Sequence, residues 1–225
     1  MGLRINVGCG QTPTRGWRNF DNSLSVHLSK IGWLAELLHF SGLLDEAQYE
    51  FVQFASRNKI EYADATRRLP LADNTVDVVY SSHMLEHLDR SGVGGFLSEA
   101  MRVMVPGATI RIGVPDLSRL VAAYTASGAA DAFIASTLMT TTQPKSLIKR
   151  VSAAFVGSRN HQWMYDGPSL VQLLRDHGFV NISVVPVGET RIQDPGPLNL
   201  AERCADSVYV EGEKPIAQGE ASLRS

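Results

Sequence analysis

The chain has 225 residues, 44% of them hydrophobic, and a formal net charge of -2. This length and apolar content suit one compact domain with a full-sized core, and the charge provides no overall basic field that would attract nucleic acid. The chain has two cysteines, Cys9 and Cys204, and no apolar stretch reaches the roughly 18 residues of a membrane span, so we expect a cytoplasmic protein without a disulfide framework or a transmembrane segment.

Short apolar runs typical of strands alternate along the chain with longer segments of helical periodicity. The predicted strands are, in chain order, Arg4–Val7, Trp17–Asp21, Ile60–Ala63, Val76–Tyr80, Thr109–Val114 and a late pair, Val180–Val187 and Ser207–Val210. The predicted helices are Leu28–Phe40, Asp45–Ser56, Gly92–Met104, Ser118–Ala126 and Ser169–His177, the last of them capped by Ser169 and closed by Gly178. This alternation predicts an α/β fold: a Rossmann-like parallel sheet with helices on both faces and a late antiparallel strand pair.

One predicted domain covers residues 1–210 and carries two helical additions, residues 23–58 and 127–160. We expect both to cover a substrate pocket, as lids do where a reaction must exclude water. The second contains Lys145, Lys149 and Arg150 beside apolar residues, which is typical of a solvated helix face and also fits peripheral contact with anionic lipid or a phosphorylated substrate. The polar, non-periodic residues 211–225 predict a loose tail.

Two glycines follow the first predicted strand in "RINVGCGQTP", which spans Arg4 to Pro13. Glycine lets a ligand approach the backbone closely because no Cβ stands in the way. A dinucleotide site expects a third glycine where this chain has Pro13, and the lysine of a phosphate-binding Walker loop is missing. S-adenosylmethionine fits better, because it has no phosphate and its ribose hydroxyls suit a carboxylate such as Asp21.

Four motifs occur in a fixed order: "NVGCG", "GWRNFDN", "YADATRRLPLADNTVDVVYSSHMLEHL" and "RVMVPGATIRIGVPD". Together they resemble the class I S-adenosylmethionine-dependent methyltransferases, in the branch called type 11. The resemblance implies an enzyme that methylates a small-molecule or glycan acceptor. It also implies cofactor contacts, which are Gly8, Cys9 and Gly10 at the methionine part, Asp21 at the ribose, Asp64 and Ala65 at the adenine, and Ser81 facing the methyl group. Two departures from the family are Ala108, where a second glycine is usual, and the short space for a helix before Trp17.

Three histidines are candidate catalytic residues: His83 and His87 follow the fourth predicted strand, and His161 lies in the late segment "HQWMYDG". Methyl transfer is an in-line displacement that needs mainly alignment and exclusion of water. A hydroxyl acceptor must also lose its proton, and a histidine with a pKa of about 6.5 can take it. We therefore expect methylation at oxygen with a histidine as general base.

Two alternatives stay open beside this interpretation. Some metal-dependent O-methyltransferases, including one branch that acts on RNA, have a segment similar to "HMLEH", so His83, Glu86 and His87, joined by His161, would hold a divalent cation that lowers the pKa of the acceptor hydroxyl. We do not favour the cation, because Glu86 also fits a pairing role within its helix and His87 a packing role. The second alternative is a relative that binds the cofactor without turnover.

Overall fold

The computed structural model describes residues 2–140 and 160–216, and seven strands of these residues form one sheet. The strands are β1 Leu3–Val7, β2 Arg18–Asp21, β3 Glu61–Tyr62, β4 Val76–Ser82, β5 Met104–Pro115, β6 Val180–Val185 and β7 Ser207–Glu213. Their order across the sheet is β3-β2-β1-β4-β5-β7-β6. The first five strands pair in parallel, and β7 runs antiparallel to both β5 and β6. The predicted α/β fold with a late antiparallel pair is confirmed.

The helices are α1 Leu24–Leu28, α2 Gly32–Phe40, α3 Glu46–Arg57, α4 Arg90–Val103, α5 Leu117–Ser127, α6 Ala130–Ser136 and α7 Gly167–Asp176. The helices α4 and α7 bury their apolar stripes against one face of the sheet, where Phe96, Leu97 and Leu170 are fully buried. Burial of such side chains is the main stabilising contribution to the fold. None of the described helices combines the length and the apolarity needed to cross a membrane.

The opposite face of β4 and β5 is covered by the connection between β6 and β7. Ile192 and Leu198 of this connection pack on Val78 and Tyr80, which alternate with the residues that face α4. The connection is also held by Arg111, a fully buried β5 residue that donates to Glu211 Oε1 at 2.7 Å and to the carbonyl of Leu200 at 3.1 Å. On this face the sheet is therefore covered by an irregular connection, which Arg111 helps to hold in place, and not by a helix.

The first helical addition differs from its prediction. One helix was predicted over Leu28–Phe40, but the chain forms α1 and α2 with a break at residues 29–31, where the N–H groups make short-range bonds such as Ile31 N to Leu28 O at 2.9 Å. Gly32, with its low helix propensity, follows the break. Val26 of α1 packs with Cys9, so the addition lies beside the glycines of "RINVGCG".

The tail was predicted to start at Glu211, which is wrong, because Glu211–Glu213 belong to β7 and pair with β5. Ser169 does not cap α7; Asp166 does, and Ser169 completes a capping box as the third helical residue. The closing role of Gly178 is confirmed by its φ of +85°. Lys145, Lys149 and Arg150 lie outside the described residues.

Candidate active site

The glycine corner, which we define as residues 8–10 after β1, is fixed by bonds to the neighbouring strand. The N–H groups of Gly8 and Cys9 both donate to the carbonyl of Phe20, at 2.8 and 3.0 Å. Gly8 and Gly10 have φ values of +73° and +48°, in the left-handed region that glycine adopts without strain. A Cβ on Gly8 would lie 2.5 Å from Met84 Cγ, whereas a Cβ on Gly10 would meet no atom within 4 Å. Gly8 is therefore needed for packing against Met84. Gly10 leaves open space through which a ligand can approach the backbone.

Asp21 lies at the carboxyl end of β2 and closes this corner. Its Oδ2 accepts from Gly10 N at 3.0 Å, and its Oδ1 accepts from Ser23 N at 2.8 Å. Within the described residues 8–17 the chain forms no helix, so Asp21 stands where the short loop returns to the sheet. Each carboxylate oxygen keeps a second acceptor site for a ligand.

Cys9 contributes its backbone rather than its thiol to this corner. The side chain is 3% exposed and packs on Val26, Ala55 and Ile60. Burial raises the pKa of the Cys9 thiol, and the charges of Asp21 and Glu202 raise it further. The thiol is therefore an uncharged core group.

Asp64 lies beyond β3, on the same edge of the sheet as the glycine corner. Its Oδ1 accepts from Thr66 N at 2.9 Å and from Thr66 Oγ1 at 2.7 Å, and Arg67 Nε is 3.3 Å from its Oδ2. The carboxylate faces an open cleft of about 490 Å³ that is lined by Tyr62, Ala63, Asp64, Arg67, Arg68 and Pro70. The side chain of Ala65 is buried in the core, so only its backbone is available to a ligand.

Ser81 does not reach the edge of the site, although the resemblance implied a cofactor contact. It pairs with Ile112 in the middle of the sheet and is 0% exposed. Its Oγ has no hydrogen-bond partner among the described residues. Because side chains alternate along a strand, the Ser81 side chain points to the face that α4 covers.

The three predicted histidines come together at the end of β4, but in different states. His83 has a φ of +51°; its Nε2 is bonded to Ser207 Oγ at 2.7 Å, and its Nδ1 lies 3.3 Å from Glu86 Oε1 without a hydrogen bond. Only 5% of its side chain is exposed. His83 is therefore held in place and is not free to meet an acceptor.

His87 is the accessible member of the three, since 30% of its side chain is exposed. It ends a short 3-10 helix, Leu85–His87, and its Nδ1 lies 3.3 Å from the carbonyl of Asn160. His161 is buried and contacts His87 edge to face, with ring centroids 5.1 Å apart. Burial lowers the pKa of His161, which favours its neutral form at neutral pH.

Glu86 is a fully buried carboxylate between these imidazoles. Its Oε1 is 3.3 Å from His83 Nδ1 and 3.9 Å from His87 Nε2, but neither oxygen makes a hydrogen bond to a described residue. Glu86, His87 and His161 each place one potential ligand atom within 4.8 Å of the others.

The sequence interpretation missed Glu202, a buried carboxylate next to the glycine corner. Its Oε1 accepts from Thr12 Oγ1 and its Oε2 from the hydroxyl of Tyr80, both at 2.9 Å. Glu202 lies 190 positions after Thr12, in an irregular connection that carries no motif. No local pattern could have assigned it to the site.

One segment of the chain matches a known family model. Residues 41–112 match the family model described as a methyltransferase domain, a segment that contains α3, β3, β4, α4 and most of β5. No match was found among curated proteins.

Two solved structures show the same fold. One is an S-adenosylmethionine-dependent methyltransferase from Methanosarcina mazei, with a TM-score of 0.52 and 14% identity over 96% of this chain and 93% of that chain. The other is a chain of the Haloferax volcanii complex that contains the Trm112 methyltransferase activator, with a TM-score of 0.50 and 14% identity over 96% of this chain and 83% of that chain. Residues 41–112 therefore resemble a methyltransferase domain, and the described chain shares the fold of these two solved structures.

Proposed function

We propose that S-adenosylmethionine binds along the carboxyl edge of β1, β2 and β3. In this proposal the backbone at Cys9 and Gly10 contacts the methionine part, Asp21 accepts from the ribose hydroxyls and Asp64 accepts from the adenine amine. The observation that carries it is the position of two carboxylates at the corner: Asp21 Oδ2 is 3.0 Å from Gly10 N, and Glu202 Oε1 is 2.9 Å from Thr12 Oγ1. A negative corner suits a cationic sulfonium and disfavours the phosphates of a dinucleotide.

The proposed reaction transfers the methyl group to a hydroxyl of a small molecule or glycan. The cofactor supplies a methyl carbon activated by positive sulfur, and the acceptor oxygen displaces the neutral thioether in line. His87 takes the hydroxyl proton at a ring nitrogen, because it is the exposed histidine at the carboxyl end of β4. Glu86 Oε1 lies 3.9 Å from His87 Nε2, and His161 packs edge-on against the ring.

A direct test uses S-adenosylmethionine with a labelled methyl group and a panel of sugars and phenols as acceptors. We expect labelled product and a matching amount of S-adenosylhomocysteine with at least one hydroxyl compound. Transfer to amines alone would contradict the oxygen assignment. Tight cofactor binding without transfer to any acceptor would instead support the alternative that this protein binds the cofactor but does not catalyse methyl transfer.

The first prediction follows from the proposed contact between Asp21 and the ribose hydroxyls. The variant Asp21→Ala is expected to weaken S-adenosylmethionine binding by about 1.5–3 kcal/mol, the usual contribution of hydrogen bonds to a charged group. Asp21 also orders Gly10 through its N–H, so the loss includes a less ordered corner. Isothermal titration calorimetry measures the effect.

The matched control is Asp77→Ala, because Asp77 is near the amino end of β4, at the opposite edge of the sheet. It should bind the cofactor like the parent. Unchanged affinity in Asp21→Ala would remove this residue from the cofactor site.

A second candidate function is methyl transfer assisted by a divalent cation, and one observation favours it. Glu86 and His161 are buried, and the two carboxylate oxygens and His161 Nδ1 lack hydrogen-bond partners among the described residues. With His87 they offer one carboxylate and two imidazoles, a ligand set that suits transition metals. The sequence also placed His83 among the metal ligands. In the structure His83 Nε2 is bonded to Ser207, and His161 completes the ligand set instead.

The metal hypothesis predicts a bound ion as well as an activity. Protein purified without chelator should carry about one equivalent of a transition metal in elemental analysis, and Glu86→Gln should lower the occupancy at least about tenfold. Glu99→Gln is the control, because Glu99 is a carboxylate that pairs with Arg102 outside the cluster. Metal-free protein that transfers methyl groups at full rate in the presence of chelator would contradict this candidate.

A further inference from the structure

We infer that Glu202 is a specificity-determining residue of the cofactor site: its charge favours the cationic S-adenosylmethionine over the neutral product S-adenosylhomocysteine. This inference rests on the proposed binding of the cofactor at the glycine corner. Its basis is the position of the Glu202 carboxylate, which is buried beside that corner although Glu202 is distant from it in the sequence.

The position of the Glu202 carboxylate is fixed on both sides. The hydroxyl of Thr12, two residues after Gly10, lies 2.9 Å from Oε1 and 2.9 Å from the carbonyl oxygen of Cys9, and Tyr80 of β4 donates to Oε2 at 2.9 Å. The hydroxyl of Tyr209 donates to the backbone carbonyl of Glu202, which holds the main chain at the same place. The carboxylate therefore lies between the loop after β1 and the carboxyl half of β4.

Among the described residues, the side-chain donors to the Glu202 carboxylate are two hydroxyl groups, and the nearby Arg111 is paired with Glu211. Neutral donors satisfy the carboxylate but leave its negative charge in place, in a region with little solvent, where Coulomb interactions are screened less than in water. Burial raises the pKa of both Cys9 and Tyr80, and the nearby charge of Glu202 raises both further. Cys9 lies between the two glycines, so the same field acts where the cofactor is proposed to bind.

The substrate and the product of the cofactor differ by one methyl group and one positive charge. Their ammonium, carboxylate, ribose and adenine groups are the same, so neutral contacts bind both equally. A negative charge near the sulfur stabilises only the sulfonium form, and it favours release of the neutral thioether after transfer. Glu202 therefore contributes to the order of binding and release.

The test compares the dissociation constants for S-adenosylmethionine and S-adenosylhomocysteine by calorimetry at low ionic strength. The isosteric variant Glu202→Gln should weaken binding of the cationic cofactor about tenfold and binding of the product about twofold or less, so the ratio of the two constants shifts about fivefold. Glu189→Gln is the matched control, because it removes the same charge from an exposed position of the same connection. It should leave the ratio unchanged.

A second pair of variants tests the charge without changing the buried residue. Thr12 is exposed, so Thr12→Lys places an ammonium near Glu202 Oε1, and Thr12→Gln adds a side chain of similar length without charge. Thr12→Lys should shift the ratio in the same direction as Glu202→Gln, relative to Thr12→Gln. If Glu202→Gln does not fold, this pair decides the question.

The outcomes separate the inference from the proposed function. A parent protein that binds neither compound would contradict the cofactor site itself. A parent that binds both, with a ratio that stays the same in Glu202→Gln and in Thr12→Lys, would overturn the role of Glu202 alone.

Discussion

His87→Ala is expected to lower the rate of methyl transfer about 10²–10⁴-fold, the usual loss on removing a general base. The dissociation constant for S-adenosylmethionine should stay within about twofold of the parent value, since the proposed cofactor contacts lie at other strands. We assign the base to His87 because an acceptor can reach it: 30% of the His87 side chain is exposed, whereas 5% of the His83 side chain is. The measurement is the release of S-adenosylhomocysteine with the acceptor identified from the panel, together with calorimetry for cofactor binding.

His177→Ala is the control for this prediction. His177 follows α7, and its Nδ1 is bonded to the carbonyl of Leu173, away from the histidine cluster. This variant should turn over like the parent. Full activity in both His87→Ala and His161→Ala would show that alignment alone drives the reaction. A larger loss in His161→Ala than in His87→Ala would move the base to the buried ring.

Glu211→Gln is expected to lower the free energy of unfolding by about 3–5 kcal/mol, because it leaves the buried Arg111 guanidinium without its counter-charge. Both side chains of this ion pair are 0% exposed, and their Nη1 and Oε1 atoms are 2.7 Å apart. Glu211 also accepts from Thr190 Oγ1 at 2.6 Å, so the variant loosens the connection between β6 and β7 as well. Urea unfolding followed by circular dichroism gives the free energy.

The half-exposed ion pair between Arg18 and Glu61 provides the control. Its side chains are 35% and 40% exposed, so Glu61→Gln should cost at most about 1 kcal/mol. Equal losses of unfolding free energy in Glu211→Gln and Glu61→Gln would mean that burial of the Arg111–Glu211 pair does not increase its contribution to stability. Since the connection carries Glu202, Glu211→Gln should also weaken cofactor binding under conditions in which the variant is folded.

Local patterns were enough to predict the sheet and one half of the candidate site. Gly8, Gly10 and Asp21 lie within 14 residues of one another and follow neighbouring parallel strands, as the family motifs indicated. Because the carboxyl ends of parallel strands meet at one edge, their convergence follows from the strand order. The same reasoning placed Asp64 at this edge and brought His83 and His87 to the end of β4.

Packing between distant segments decided the rest. The burial of Ser81, the exposure of His87 and the bonding of His83 to Ser207 depend on which face of β4 each neighbour covers, and residues nearby in the chain do not encode that choice. Glu202 belongs to an irregular connection with no periodicity, yet its carboxylate is bonded to Thr12 near the start of the chain. Composition and spacing describe local geometry, whereas contacts across 190 positions form only when the complete sheet and its covering segments pack together.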